Sequence, residues 1–254
     1  MYAWKCWRDT RRIFLIYLAL LLVIGTACLT TMFFAMRSQP AVASPEKLWT
    51  MGVGVPTFVG YLCAVVMAFA IGSHNVGADI GKGSADFLLT RPRTRRYFVW
   101  TGWAVGLAEV LLLVVVSAAV TLTVFTIVIG PVWRRLPSPM HVMVEGHVLE
   151  VPALFVPVVL TAVVLYGLTY FLTVVFRSGQ RGVLASLATV FAYFFVSAML
   201  RSLAGVALPG IKIFAGDGQQ MLPLHALGVP ITGWLLVALA FPVASQFVLN
   251  RYQV

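Results

Sequence analysis

Glu109 is the one acidic side chain set inside a long apolar run of this chain. An acid at membrane depth is costly unless it faces a cavity, a cation or the interior of a helix bundle. The alternative is a position near enough to the interface to be hydrated. A second candidate is the run Gly77-Ala78-Asp79-Ile80-Gly81-Lys82-Gly83-Ser84, which has the glycines, lysine and hydroxyl of a phosphate-binding loop. Such a loop needs four residues between its first glycine and the Gly-Lys pair and joins a strand to a helix. Here three residues intervene, beside an apolar run, so no nucleotide site is expected. His141, Glu145, His147 and Glu150 could supply metal ligands, but they follow no recognised ligand spacing. Residues 142–150 alternate around Glu145-Gly146 and predict a small surface hairpin. A Ser-Lys dyad, a Ser-His nucleophile, a His-Glu-x-x-His run and paired intramembrane aspartates are all missing, so no catalytic, cofactor or metal residue is expected.

The elements that must position these residues follow from composition. The 254 residues are 61% hydrophobic and 10% charged, with a mean hydropathy of +0.95, far from soluble domains. The reading is an all-α polytopic membrane protein, one six-span transmembrane domain over residues 1–254. Its spans are placed at 13–36, 51–74, 97–129, 152–176, 182–205 and 228–249, each long enough to cross roughly 30 Å of hydrocarbon. The third is longer than a span requires, so part of it projects or tilts. Pro157 and Pro242 predict kinks near the ends of the fourth and sixth. Gly102-x-x-x-Gly106 permits close helix approach on the third. Cys6, Cys28 and Cys63 are far apart and form no metal-type pair.

The net charge of +10 raises the possibility of nucleic acid, but the basic residues flank apolar runs as membrane-flanking charges do. Nucleic-acid binding is therefore not expected. Twelve Lys and Arg fall at the N-terminus, in the 75–100 and 177–181 loops and at the C-terminus, against six in or beside the other loops. The positive-inside rule then predicts both termini in the cytoplasm of a multi-pass protein of the inner (cytoplasmic) membrane. Residues 1–12 carry Trp4, Lys5, Trp7, Arg8, Arg11 and Arg12. They read as an interfacial helix leading into the first span or as an ordinary basic flank. The outer loop 206–227 is half apolar and rich in Gly and Pro, as a segment dipping part-way into the bilayer against protein would be.

Residues 79–96 are a polar, basic island between the second and third spans, built around Phe87-Leu88-Leu89. The pattern suits a short helix at a membrane surface. Pro92 disfavours helix through Arg91, and Arg93, Arg95 and Arg96 lead into the next span.

The run Asp79-x-x-x-Gly83-Ser84-x-Asp86-x-Leu88-Leu89-x-x-Pro92-x-Thr94-Arg95 resembles the Glu-x-x-x-Gly-Thr-x-Glu-x-Leu-Leu-x-x-Pro-x-Ser-Arg signature of the type-2 ATP-binding-cassette (ABC) exporter permeases. Asp79, Ser84 and Thr94 are close chemical replacements, while Thr101-Gly102 stands where that family often has Gly-Lys. The resemblance implies six spans, an N-terminal elbow helix at 1–12, a coupling helix at 79–96 and an outer re-entrant segment at 206–227. It also implies docking of a separate ATPase chain, which would hold ATP and Mg, on Asp79, Gly83, Ser84, Asp86, Phe87, Leu88, Leu89, Pro92, Thr94 and Arg95. The 177–181 turn would join that surface, and a second permease subunit, identical or not, would complete a pathway in membrane lipid. Glu109 becomes a pathway or helix-pairing candidate. The cargo is open, with the apolar spans leaning towards an amphipathic or lipid-like one. Two rival readings are an integral-membrane enzyme acting on lipid or peptide and a membrane interaction subunit that transports nothing.

Overall fold

The computed structural model describes residues 2–38, 55–83, 95–129, 138–204 and 228–251, all helical apart from short turns. The helices are α1 (Tyr2–Ser38), α2 (Val55–Gly72), α3 (Val76–Gly81), α4 (Arg95–Val124), α5 (Ser138–Phe176), α6 (Gly179–Ala204) and α7 (Gly228–Arg251). A π-helical turn, Phe125–Ile129, follows α4 directly. All but α3 contain a stretch long and apolar enough to cross a membrane, giving the six candidate spans expected. Their outward residues are apolar as well. On α6, Leu184, Phe191, Phe194, Phe195 and Leu203 are exposed, a surface suited to lipid and not to water.

Two expectations need correction. The elbow helix expected at 1–12 is not seen as a separate element, because α1 runs without a break for 37 residues. At 1.5 Å per residue that is about 56 Å, so α1 extends well beyond the hydrocarbon. The hairpin expected at 142–150 does not form, since this segment is the beginning of α5. An isolated two-stranded hairpin is marginal, whereas extending an existing helix adds a hydrogen bond per residue without a new nucleus. Pro139 fits there because the N–H groups of a first helical turn have no intrahelical acceptor, so proline's missing N–H forfeits no helix hydrogen bond. Of the expected 79–96 helix only the head is described: α3 starts at Val76 and stops at Gly81, and residues 84–94 lie outside the described residues. Gly83 is the reason for the stop: at φ 70 it takes the left-handed conformation that ends helices, and its N–H donates back to the Ile80 carbonyl at 3.0 Å. Helix continues through Pro157 in α5 and Pro242 in α7.

The chain divides into two compact units, each with its own core. One comprises Met1–Ile13, Val65–Val110 and Leu160–Val254, with Met67, Ile71, Val99, Val110, Tyr166 and Tyr170 among its buried side chains. The other comprises Phe14–Ala64 and Leu111–Val159, with Leu21, Cys63, Leu113, Val114, Val124 and Phe125 buried. In the latter, Ser117 of α4 packs directly on Gly60 of α2.

Candidate coupling surface and the buried Glu109

The residues that organise the first unit begin with one that sequence reasoning passed over. Asn75 is buried and uses its whole amide. Its Oδ1 accepts from the Gly77 and Ala78 N–H groups at 2.8 and 3.3 Å, capping α3. Its Nδ2 donates to the Gly72 carbonyl closing α2 and to the Tyr170 carbonyl of α5, both at 2.9 Å. One side chain thus ties three helices together. The signal was present: an Asn before a short run with Asp79 in its first turn is an N-terminal capping pattern.

Capped in this way, α3 lies on the backbone of α5. A Cβ on Gly77 would stand 2.5 Å from the Thr173 carbonyl oxygen and the Val174 Cα, so only glycine permits this approach. Gly81 lies as closely on the Arg177 carbonyl. Arg177 itself turns the chain from α5 into α6 with φ 50, and the Gly182 N–H donates to the Ser178 carbonyl at 2.9 Å. The start of the 79–96 segment and the 177–181 turn, far apart in sequence, therefore form one surface. The N-terminal end of α1 joins it, because Lys5 Nζ donates to Asp79 Oδ2. Lys5 also lies 3.7 Å from Asp9.

Of the residues expected to dock a partner, Asp79 is thus the single acid of α3 and paired, Gly83 ends that helix, and Arg95 opens α4. Ser84, Asp86, Phe87, Leu88, Leu89, Pro92 and Thr94 lie outside the described residues, as does the 206–227 segment. His141, Glu145, His147 and Glu150 are helical positions of α5 and do not form the arrangement a hairpin would give them.

Glu109 faces the interior of this unit and is not a hydrated boundary residue, being only 3% exposed. Its Oε1 accepts from Thr10 Oγ1 at 2.5 Å. Its Oε2 has no hydrogen-bond partner among the described residues. Thr10, also buried, is within reach of the Cys6 carbonyl at 2.9 Å, so its single hydroxyl proton serves two acceptors. The Gly102-x-x-x-Gly106 face of α4, read as a close-approach motif, receives the tyrosines of α5. Tyr170 donates to the Val99 carbonyl and Tyr166 to the Trp103 carbonyl, both at 2.9 Å, with the Tyr166 hydroxyl set against Gly106. On the N-terminal side, Tyr2 packs edge-on against Phe98 with centroids 4.9 Å apart. The result is a buried polar seam along α4, lined by α1 and α5, that contains Glu109.

Comparison with protein-family models, with curated proteins and with solved structures finds no match to this chain. Its own residues and helices establish an all-α, multi-pass integral membrane protein with six candidate spans.

Proposed function

We propose that this chain is the membrane-spanning permease subunit of an ATP-driven ABC exporter, with ATP hydrolysis carried out by a separate chain docked on the 79–96 segment and the 177–181 turn. The single observation that carries the reading is the interlock of α3 with the α5–α6 turn and with Lys5. A docking segment must pass displacement to the spans without absorbing it. The head of this segment is fixed to the ends of α2 and α5 through Asn75, and to α1 through Asp79. A push on 79–96 is therefore a push on three spans at once. Closure of the ATPase would tilt the helices and change which side a central pathway faces. Two such subunits, identical or different, would enclose that pathway.

The test is purification in mild detergent with identification of co-purifying chains. An ATPase subunit is the expected partner. Burying Phe87 or Leu88 in a partner groove is worth about 1.5–3 kcal/mol, against about 1 or less for an exposed ion pair. Phe87→Ala or Leu88→Ala should therefore release the ATPase far more than Arg95→Ala does, with membrane insertion unchanged. Recovery of no ATPase, or normal transport by a variant with Phe87, Leu88 and Leu89 all changed to Ser, would overturn the proposal.

A further inference from the structure

The rotation of α1 about its own axis is fixed by contacts along one face. Tyr2 packs on Phe98, Thr10 bonds to Glu109, and Lys5, on the edge of that face, bonds to Asp79. At 3.6 residues per turn, positions 4, 8 and 11 must then point the opposite way. They do: Trp4 is 61% exposed, the Arg8 side chain is 59% exposed, and Arg11 and Arg12 are exposed beside them. Residues 2–13 hold four basic side chains and one acid, Asp9. Asp9 lies 3.8 Å from Arg8 Nε and 3.7 Å from Lys5, so it offsets the cluster only in part. Immediately beyond, α1 exposes Leu15, Ile16, Leu20, Leu22 and Val23. The three arginines therefore sit where the helix changes from basic to apolar, a boundary that in a spanning helix suits the headgroup layer.

Arginine offers a planar fork that matches phosphate oxygens two at a time, and the indole of Trp4 suits the same layer. Anionic lipids attract such juxtamembrane clusters. We propose that Trp4, Arg8, Arg11 and Arg12 form a binding site for the phosphate headgroup of an anionic phospholipid in the leaflet entered by this end of α1. The site uses α1 alone and stands independently of the exporter reading.

The test uses the full-length protein in mild detergent, titrated with phosphatidylglycerol or phosphatidylcholine and read by native mass spectrometry. Phosphatidylglycerol should bind at least about tenfold more tightly. Each arginine near an anionic surface is worth roughly fivefold, about 1 kcal/mol, so Arg8→Gln/Arg11→Gln/Arg12→Gln should weaken it by about 100-fold at low salt. The corresponding triple change to Lys should recover most of the affinity. A control removing the same charge elsewhere, Lys82→Gln/Arg181→Gln/Arg251→Gln, should keep the preference, and inorganic phosphate should not displace the lipid. The proposal falls if the two lipids bind alike, if the control loses as much as the test variant, or if the Gln variant keeps its lipid. It falls equally if the Gln variant sheds an acidic protein partner while lipid binding is unchanged, which would make this face a protein-docking surface.

Discussion

Thr10 Oγ1 donates to Glu109 Oε1 at 2.5 Å, joining the first turns of α1 to the middle of α4 across 99 residues of sequence. The bond places the acid in the unit's interior, on the face against which α1 packs. It also makes the two residues separable by mutation, since the hydroxyl is small and the carboxyl can be replaced by its isosteric amide.

Thr10→Val keeps the shape of the side chain and removes the donor, leaving a buried carboxyl with no hydrogen-bond partner among the described residues. The expected cost is about 1–3 kcal/mol in mixed-micelle unfolding, with Thr10→Ser close to wild type. Glu109→Gln keeps an acceptor for Thr10 and should insert and fold normally. In transport assays it should alter flux or its coupling to ATP hydrolysis. Unchanged flux and coupling would leave Glu109 a helix-pairing residue only.

Lys5 and Asp79 should be coupled energetically. Both side chains are partly exposed, 31% and 21%, so a double-mutant cycle of Lys5→Ala and Asp79→Ala should return about 1 kcal/mol or less, falling with added salt. The exchange Lys5→Asp with Asp79→Lys should restore part of what each single change loses. A coupling of zero at low salt would dissociate α1 from α3.

Gly77→Ala should destabilise by about 1–3 kcal/mol, because the added carbon meets backbone atoms of Thr173 and Val174 that cannot swing aside. Gly233, on an open face of α7 where an added Cβ would meet nothing within 4 Å, provides the contrast. Gly233→Ala should be neutral or slightly stabilising, since a helical position only loses unfolded-state freedom there. Thermal unfolding of both variants in one detergent decides between them.

Topology can be checked with the native Cys6, Cys28 and Cys63 first replaced. Single cysteines at Thr94 and Ser178 should be shielded in intact cells from a membrane-impermeant thiol reagent, and one at Ser138 should react. Labelling at Thr94 with protection at Ser138 would invert the orientation read from the charge distribution.

Hydropathy alone determined that this is an all-α membrane protein and where its six spans lie, because the cost of burying polar backbone and charge in hydrocarbon is local and leaves long, countable apolar runs. The same local logic marked Glu109 as an acid that must either face an interior environment or lie near the interface. What needed tertiary structure was everything set by pairing between distant segments. Thr10 gives no sign in sequence of its bond to Glu109, and Lys5 is indistinguishable from its basic neighbours until α1 is rotated against Asp79. Gly77 looked like part of a phosphate loop, whereas its lack of a side chain serves a backbone contact with α5. Residues 142–150 went the other way: their alternation fits a strand as well as a helix over so short a run, and the continuing helix decided it. Asn75 lies between the two cases, since its cap on α3 follows from local chemistry while its bond to the Tyr170 carbonyl exists only once α5 is packed beside it.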